Sequence, residues 1–210
     1  MSLRYALLAL LTAGPLTGYD AAKKFSGSVG HVWHAPDSQI YPELRRMQVS
    51  GLVEGEQVRW GPRSTKTRYR ITDAGTDAFR SWMATPLAHA PERDAHHMQA
   101  AYLEWASPNE ARLILGNHLE YYTEQVELLT AVRNGIAART DPAILRRLDA
   151  RPEAEHEQII AFKVYSYSGM IARGRSEIEW AAAGLELIDG LENAATQCNE
   201  ATQESSRGAT

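Results

Sequence analysis

Residues 37–52, DSQIYPELRRMQVSGL, decide the fold that the first part of the chain is expected to adopt. At 3.6 residues per turn, Ile40, Leu44 and Met47 fall on one apolar face of a helix. The polar face of the same helix carries Ser38, Tyr41, Arg45 and Gln48. A short helix that is buried on one side and polar and basic on the other is an element that the major groove of DNA admits. A surface helix whose polar face is only solvated is the other interpretation.

The ends of this helix are predicted from local chemistry. Asp37 or Ser38 is expected to cap the first turn through a side-chain oxygen. Pro42 is tolerated only near a helix start, where its missing N–H costs nothing, so regular helix is predicted from about Ser38. Gly51 is expected to end the helix at a position that needs a positive φ.

The chain before residue 37 predicts two further helices. Gly14 and Pro15 separate them, and Thr17 is a candidate N-cap for the second. In the second helix the residues expected to face inward are Tyr19, Ala22 and Phe25, and those expected to face outward are Lys23 and Lys24. The order is therefore helix, turn, helix, loop, helix.

After residue 51 the apolar period changes from 3.6 to 2, which predicts a β-hairpin. Its strands are residues 52–60 and 65–71, joined by a turn at Gly61 and Pro62. The basic and polar residues of the turn and second strand are Arg63, Ser64, Lys66, Arg68 and Arg70. Three helices followed by a basic hairpin are typical of a winged helix, whose wing contacts DNA phosphates. A strand pair with solvated charges is the alternative.

Charge and composition agree with this order. Residues 1–85 contain 11 Lys and Arg against 7 Asp and Glu, a net charge of +4, whereas residues 86–210 contain 11 against 19, a net charge of −8. A basic first part suits contact with a polyanion. No apolar run reaches the length of a membrane span, and Cys198 is the only cysteine. The expectation is a cytoplasmic protein without membrane association.

Four runs in the first 85 residues resemble the PadR family of transcriptional regulators. They are GPLTGYD at 14–20, IYPELRRM at 40–47, SGLVE at 50–54 and YRITDAG at 69–75. The sequence departs from the family at Arg68, where a second aromatic is usual, and at Gln39-Ile40, where small and aliphatic residues are common. The resemblance implies a DNA-binding winged helix, a dimer and, usually, repression.

The second part of the chain is predicted to be helical. A helix is expected over residues 92–106, and Ser107, Pro108 and Glu110 form a capping box that starts a long one. Asp141-Pro142 starts a short helix, and a last long helix is expected over residues 153–198. Apolar or small residues recur at steps of three and four along both long helices, and these series form a seam: Leu115, Leu119, Tyr122, Val126, Leu129, Val132 and Ile136 in the first helix, and Ile160, Val164, Tyr167, Ile171, Gly174, Ile178, Ala181, Leu185 and Ile188 in the second. The seam residues assigned to dimerisation are Leu115, Leu119, Tyr122, Val126, Leu129, Val164, Ile171, Ile178, Leu185 and Ile188.

This seam predicts one of two arrangements. The two long helices can form an antiparallel pair within one chain, with close approach at Gly174 and Ala181, or reach across to a second subunit. The second use is favoured because a two-fold partner doubles the DNA that is read. The resulting fold class is mainly α with a small β-hairpin: a winged-helix domain at 1–86, a helical dimerisation and effector domain at 92–200, and a disordered polar tail at 201–210.

Other chemistry is discounted. His96 and His97 are adjacent and point about 100 degrees apart on a helix, so they would share a metal poorly. His31 and His34 lie in a loop and are read as surface or capping residues. No nucleophile, phosphate-binding or metal motif occurs, so no enzyme, cofactor or metal is expected.

The aromatic residues of the second part allow an effector pocket. They are Trp105, Tyr121, Tyr122, Tyr165, Tyr167 and Trp180, which could line a flat pocket between domains or subunits. Ordinary core packing is the simpler interpretation of the same residues. The PadR resemblance suggests phenolic or drug-like ligands for such a pocket.

The resulting hypothesis is a homodimeric repressor that binds a pseudo-palindromic promoter site and is released by a small, possibly aromatic effector. Major-groove contacts are assigned to Ser38, Gln39, Tyr41 and Arg45, wing contacts to Arg63, Ser64, Lys66 and Arg68, and backbone contacts to Lys23 and Lys24. Two alternatives stay open. One is an activator or co-regulator that works through a partner protein, and the other is a helical interaction module that binds no nucleic acid.

Overall fold

The protein is described by a computed structural model of the 210-residue chain, covering residues 3–26, 35–60, 64–89 and 93–207. Its helices are α1 Leu3–Leu11, α2 Gly18–Ser26, α3 Asp37–Val49, α4 Asp73–Met83, α5 Ala95–Ala100, α6 Pro108–Ala137, α7 Pro142–Asp149 and α8 His156–Arg207. Its strands are β1 Leu16–Thr17, β2 Val53–Trp60 and β3 Ser64–Ile71. The fold is therefore mainly helical with one small sheet, as predicted.

The chain divides into two units. The winged-helix unit is Met1–His89 with Gly135–Lys163, and the helical unit is Ala90–Asn134 with Val164–Thr210. The division predicted from the sequence assigned the whole of 135–163 to the second domain. Helix α8 also runs to Arg207, past residue 201 where the disordered tail was expected to begin.

The core of the winged-helix unit forms where the predicted apolar face of α3 meets α1 and α2. Ile40, Leu44 and Met47 are almost completely buried, which confirms the stripe. They pack in one cluster with the leucines of α1 and with Phe25 of α2. Burial of this apolar surface is the main term that stabilises the unit and holds α3 with its polar side outward.

Two local expectations about this unit are wrong. The N-cap of α3 is Pro36 and makes no side-chain cap hydrogen bond, so neither Asp37 nor Ser38 caps the helix. Tyr19 does not face inward but is 52% exposed, and its ring lies beneath the ammonium of Lys66 on the hairpin. The expectation that Gly51 follows the C-terminal end of α3 with a positive φ is confirmed, since its φ is +72°.

The sheet has three strands in the order β1-β3-β2. Strands β2 and β3 pair antiparallel from Val53 opposite Ile71 to Trp60 opposite Ser64, and this hairpin is called the wing below. The third strand, β1, pairs Leu16 with Tyr69. Two residues carry no periodicity, so sequence patterning missed β1. Thr17 nevertheless caps α2, as predicted, by accepting from the Asp20 N–H at 3.1 Å.

In the helical unit, the predicted start of α6 is confirmed. The Ser107 N–H donates to Glu110 Oε2 at 2.8 Å, and the Glu110 N–H reaches Ser107 Oγ at 3.4 Å, which is the reciprocal pattern of a capping box. The helix expected over 92–106 is instead the short α5 followed by a 3₁₀ turn at Leu103–Trp105.

Helices α6 and α8 pair antiparallel within the chain. A Cβ added at Gly174 would lie 2.7 Å from Val126 Cγ2, and one added at Gly184 would lie 2.7 Å from Leu115 Cδ1. The missing side chains therefore allow the close approach that was expected at Gly174. All ten residues assigned to dimerisation are buried or half-buried within the single chain, which is the antiparallel pairing named as the other arrangement of the seam.

Candidate functional site

Helix α3 presents a polar face beside the wing. Ser38, Gln39, Tyr41 and Arg45 are all exposed, as predicted for residues that read DNA. The face is available because the opposite side of the helix is sealed in the core. Its side chains are the donors and acceptors that base edges and phosphates can pair with.

Two adjacent arginines on α3 differ in their contacts. Arg46 Nη1 donates to Glu43 Oε2 at 2.7 Å, and Arg4 Nε donates to the other carboxylate oxygen of Glu43 at 3.2 Å. Arg45 has no hydrogen-bonding or ionic partner in the part of the chain that the structure describes. Arg45 is therefore the α3 cation whose guanidinium can engage a new partner without breaking an existing ion pair.

The position of Tyr41 depends on Gly18 at the start of α2. A Cβ added at Gly18 would lie 2.7 Å from Tyr41 Cε1, so only glycine leaves room for this ring. Partial burial, followed by the nearby charge of Asp37, raises the pKa of Tyr41 above its usual value. The phenol therefore stays protonated at neutral pH and can donate a hydrogen bond.

The wing carries less free positive charge than its sequence suggested. Arg68 pairs with Glu56 at 2.8 Å, and Arg70 pairs with Glu54. Each pair joins directly opposed residues of β2 and β3. The acidic residues of β2 lie on the same face as the basic residues of β3, so part of the positive charge of the predicted basic hairpin is neutralised within the wing.

Other wing residues are held in different ways. Lys66 Nζ lies 3.4 Å from the centre of the Trp60 ring and 4.7 Å from that of Tyr19. Ser64 is exposed and its hydroxyl donates to the Trp60 carbonyl, while Arg63 lies outside the described residues. Arg59, which the sequence argument did not select, is exposed and makes no ion pair with any described residue. Arg59 falls at the same alternate positions of β2 as Val53, Gly55 and Gln57. This period of two could have identified it as a residue of that face of the wing.

The two lysines of α2 have different surroundings. Lys23 is exposed, whereas Lys24 is half-buried. Burial, and then repulsion by Arg146 of α7, lowers the pKa of Lys24, partly offset by Asp20. Lys24 therefore lies near Arg146 of α7, and of the two lysines only Lys23 has the exposure expected of a contact to the DNA backbone.

The six aromatic residues predicted for one effector pocket do not form one. Trp105 is 87% exposed and Tyr165 is 78% exposed, whereas Tyr167 is buried. Tyr121 and Tyr122 line one cavity of about 500 Å³, called the tyrosine cavity, with His96, Asn117 and His118. Trp180 lines a different, mostly apolar cavity of about 540 Å³. The prediction is corrected to two cavities, both in the helical unit.

A histidine cluster lies against the tyrosine cavity. Buried His118 places Nε2 3.2 Å from Glu177 Oε2, and its ring centre lies 4.7 Å from that of Tyr122. His97 stacks on Trp180 with ring centres 4.1 Å apart. His118 and Glu177 are 59 residues apart, so no local pattern pointed to this pair.

Residues 7–81, which contain α3 and the wing, match the model of the transcriptional regulator PadR-like family. Residues 7–81 therefore form a PadR-like domain. This PadR-like chain is 25% identical over 191 residues to the negative transcriptional regulator PadR of Bacillus subtilis, covering 89% of this chain and 97% of that protein.

Solved structures share the fold over most of the PadR-like chain. Bacillus subtilis PadR in complex with operator DNA superposes with a TM-score of 0.67 at 24% identity, covering 89% of this chain and 98% of that one. The same protein in complex with p-coumaric acid gives a TM-score of 0.64 at 24% identity, covering 89% and 95%. The Vibrio cholerae virulence activator AphA superposes with a TM-score of 0.63 at 25% identity, covering 90% of this chain and 99% of that one.

None of the helices within the described ranges is both long and apolar enough to cross a bilayer. Over those same ranges, no three His, Cys, Asp or Glu side chains converge in a way that could hold a metal ion. His31 and His34, read from the sequence as surface residues, lie outside these ranges. The family consists of transcriptional regulators and not of enzymes.

Proposed function

We propose that this protein is a homodimeric repressor that binds a pseudo-palindromic promoter site through α3 and the wing. The observation that carries the proposal is the exposed polar face of α3, on which Arg45 has no competing partner among the described residues. In repression the dimer covers the promoter and blocks polymerase. The description of Bacillus subtilis PadR as a negative regulator, and its structure with operator DNA, support this assignment.

Dimerisation is supported by apolar surface that the helical unit leaves exposed. Because α6 and α8 pack through their seam within the chain, we expect a second copy to contact mainly the residues that this pairing leaves exposed. The large hydrophobic side chains that this unit leaves exposed are Met98, Tyr102, Trp105, Leu113, Tyr121, Leu128, Tyr165, Leu187 and Leu191. Such a concentration of exposed apolar side chains is typical of a protein–protein interface, and a two-fold dimer would present two α3 helices to the two half-sites.

Arg45→Ala is expected to reduce affinity for the cognate site by about 1–3 kcal/mol and to relax the preference for one base pair in each half-site. The reason is that a guanidinium can make two hydrogen bonds to a guanine edge. Arg46→Ala is the matched control, since Arg46 is already bonded to Glu43. Fluorescence anisotropy on the protein's own upstream region, with single-base variants of the footprinted site, measures both effects.

The same titration tests the dimer and the division of roles. At saturation we expect two chains per site, and Lys66→Ala should weaken binding to every sequence alike and reduce the salt dependence. One chain per site would contradict the dimer. Equal losses for Arg45→Ala and Arg46→Ala, or an identical sequence profile for Arg45→Ala and wild type, would contradict the role given to Arg45.

We further propose that a small aromatic effector binds the tyrosine cavity and shifts the population of the dimer away from the DNA-bound spacing of its α3 helices. Tyr121 and Tyr122 supply ring faces, and Asn117 and His118 supply polar groups. This combination of aromatic walls and a few polar groups suits a phenolic ligand. The complex of Bacillus subtilis PadR with p-coumaric acid supports the ligand class.

Titration with p-coumarate is expected to change tryptophan fluorescence saturably, because Trp180 lies 5.1 Å from His118 of the cavity between ring centres. Tyr121→Ala should abolish the change, while Tyr165→Ala, an exposed tyrosine of α8 that does not line the cavity, should preserve it. A response that survives Tyr121→Ala, or no saturable response in the wild-type protein, would refute this site.

Activation is the second candidate, since AphA shares the fold and is a virulence activator. It predicts that deletion of the gene lowers target transcripts, whereas repression predicts that deletion raises them. A helical interaction module without DNA binding predicts no shift of any duplex at low salt.

A further inference from the structure

Glu43 is a buried acid on α3, next to the face assigned to DNA contact. Its exposed fraction is 8%, and no other Asp or Glu side chain within the described ranges is buried. It lies beside the apolar stripe, one residue before Leu44. An ionised carboxylate that is withdrawn from water is costly unless its charge is paired. Glu43 is therefore expected to have cationic partners that offset this cost.

Each carboxylate oxygen of Glu43 accepts from a different arginine. Arg4 Nε, in the first turn of α1, donates to Oε1 at 3.2 Å, and Arg46 Nη1 donates to Oε2 at 2.7 Å. Arg4 is half-buried and Arg46 is exposed, so both arginines keep contact with water. One buried acid therefore controls the direction of two accessible guanidinium groups.

Arg46 lies at the edge of the DNA-reading face. Gln39 and Arg46 are seven residues apart, so they project from the same side of α3, two turns from each other. Both line a surface cavity of about 330 Å³ together with Ser38. Ser38 and Gln39 are two of the exposed residues assigned to the major groove. A duplex that contacts Ser38 and Gln39 therefore brings its phosphates near Arg46.

Glu43 holds its arginines more firmly than the wing acid Glu56 holds Arg68. The Glu43 side chain is 11% exposed, whereas that of Glu56 is 68% exposed. Water and salt screen an exposed pair strongly and a partly buried pair much less. Two hydrogen bonds from separate helices also fix the carboxylate of Glu43 in one place. An approaching phosphate therefore displaces Glu56 from Arg68 more readily than it displaces Glu43 from Arg46.

An arginine that is free to contact phosphate raises the affinity for every duplex. Each phosphate that Lys or Arg neutralises releases counterions, and this gain is independent of base sequence. Base contacts add the preference for one site. When a change in the spacing of the α3 helices breaks the base contacts, only the sequence-independent affinity remains. Release from DNA is therefore effective only if that remaining affinity is low.

We propose that Glu43 keeps the sequence-independent part of DNA affinity low by withholding Arg46 and Arg4 from phosphates. Glu43 acts through these two arginines, so it is a positioning residue. Arg45, which makes no ion pair with any described residue, stays available to base edges. The inference rests on the proposed DNA-binding face of α3. It adds that loss of the base contacts is sufficient for release because two neighbouring cations are held by an acid of the same chain.

The affinity of Glu43→Gln for a non-cognate duplex, measured by fluorescence anisotropy at several salt concentrations, tests the proposal. Glutamine keeps the length of the side chain and one acceptor oxygen but removes the charge. We expect the slope of log K against log salt to steepen by about 0.9 for each arginine released, which is about eightfold in affinity at 0.1 M salt. Unchanged affinity and slope, or weaker binding, would overturn the proposal.

Two controls separate release of the arginines from other effects. Glu186→Gln removes an exposed acid of α8 that makes no ion pair with any described residue, so it changes the net charge equally and should leave the slope unchanged. Glu43→Asp keeps the charge and should stay closer to wild type than Glu43→Gln does. An equal gain in Glu186→Gln would assign the effect to net charge and would overturn the role of Glu43.

A double-mutant cycle identifies the cation that is released. In the wild-type background Arg46→Gln should change non-cognate affinity by less than about twofold, because Arg46 is withheld, whereas in the Glu43→Gln background it should remove most of the gain. Arg4→Gln is measured in the same way, and the proposal is overturned if neither change removes any of the gain.

The single Arg46→Gln variant keeps the proposal testable if Glu43→Gln does not fold. A loss of about eightfold at 0.1 M salt would show that Arg46 already contacts a phosphate in the wild-type protein, and it would overturn the proposal. Wild-type protein that binds no duplex at low salt would contradict the proposed DNA-binding function together with this inference. Wild-type binding with no effect of Glu43→Gln would contradict this inference alone.

Discussion

Leu44→Ala is expected to lower the free energy of unfolding of the winged-helix unit by about 2–5 kcal/mol, the range measured when a leucine is truncated in a packed core. Leu44 is 0% exposed and lies in the middle of the α3 stripe, within the cluster that also contains leucines of α1 and Phe25. Truncation leaves a cavity that neighbours from three helices cannot all fill, because they are held by their own backbones.

Urea unfolding followed by circular dichroism measures this loss, and DNA binding should weaken with it because α3 loses its support. Val49→Ala is the control on the same helix. Val49 is 90% exposed, so its truncation should change the free energy by no more than about 0.5 kcal/mol. If the two variants were equally stable, α3 would not be docked through its apolar face.

Gly75→Ala is expected to destabilise the same unit by about 1–3 kcal/mol or more, through steric overlap. A Cβ added at Gly75 would lie 2.0 Å from the carbonyl oxygen of Leu52. That oxygen accepts from the Thr72 N–H at 3.2 Å, so both sides of the contact are backbone that is already committed. The first turn of α4 would have to move away from the strand β2 that follows Leu52.

The opposite sign is expected for Gly116→Ala in α6. A Cβ added there meets no heavy atom within 4 Å, so only the better helix propensity of alanine acts, a gain of about 1 kcal/mol. Melting temperatures of the two variants should therefore move in opposite directions. A stabilised Gly75→Ala protein would show that α4 and Leu52 are not in contact, and a destabilised Gly116→Ala protein would place another chain against α6.

Features that depend on near neighbours in the chain were predictable. The apolar stripe of α3, the caps at Thr17 and Ser107, and the positive φ of Gly51 follow from spacings of three or four residues. The cap of α3 was missed because Pro36 provides extended geometry without a side-chain hydrogen bond. The two-residue strand β1 was missed because its partner is β3, more than fifty residues later.

Charge was predicted less well than burial. A list of Lys and Arg residues shows where cations occur but not which of them are neutralised. Arg68 and Arg46 are paired with Glu56 and Glu43, whereas Arg45 has no partner among the described residues. Those differences depend on strand register and side-chain direction, which set distances of a few ångströms and therefore the strength of each interaction.

By itself the sequence determined the winged-helix order of elements, the inward face of α3 and the resemblance to PadR regulators, because helix and strand periods and turn residues act over a few positions. Only the tertiary structure decided that α6 and α8 pack through their seam within one chain, that the aromatic residues divide between two cavities, and which arginines of α3 and the wing are paired with a carboxylate. Each of these depends on which distant residues come into contact, and the energies of burial and charge pairing are set by those contacts.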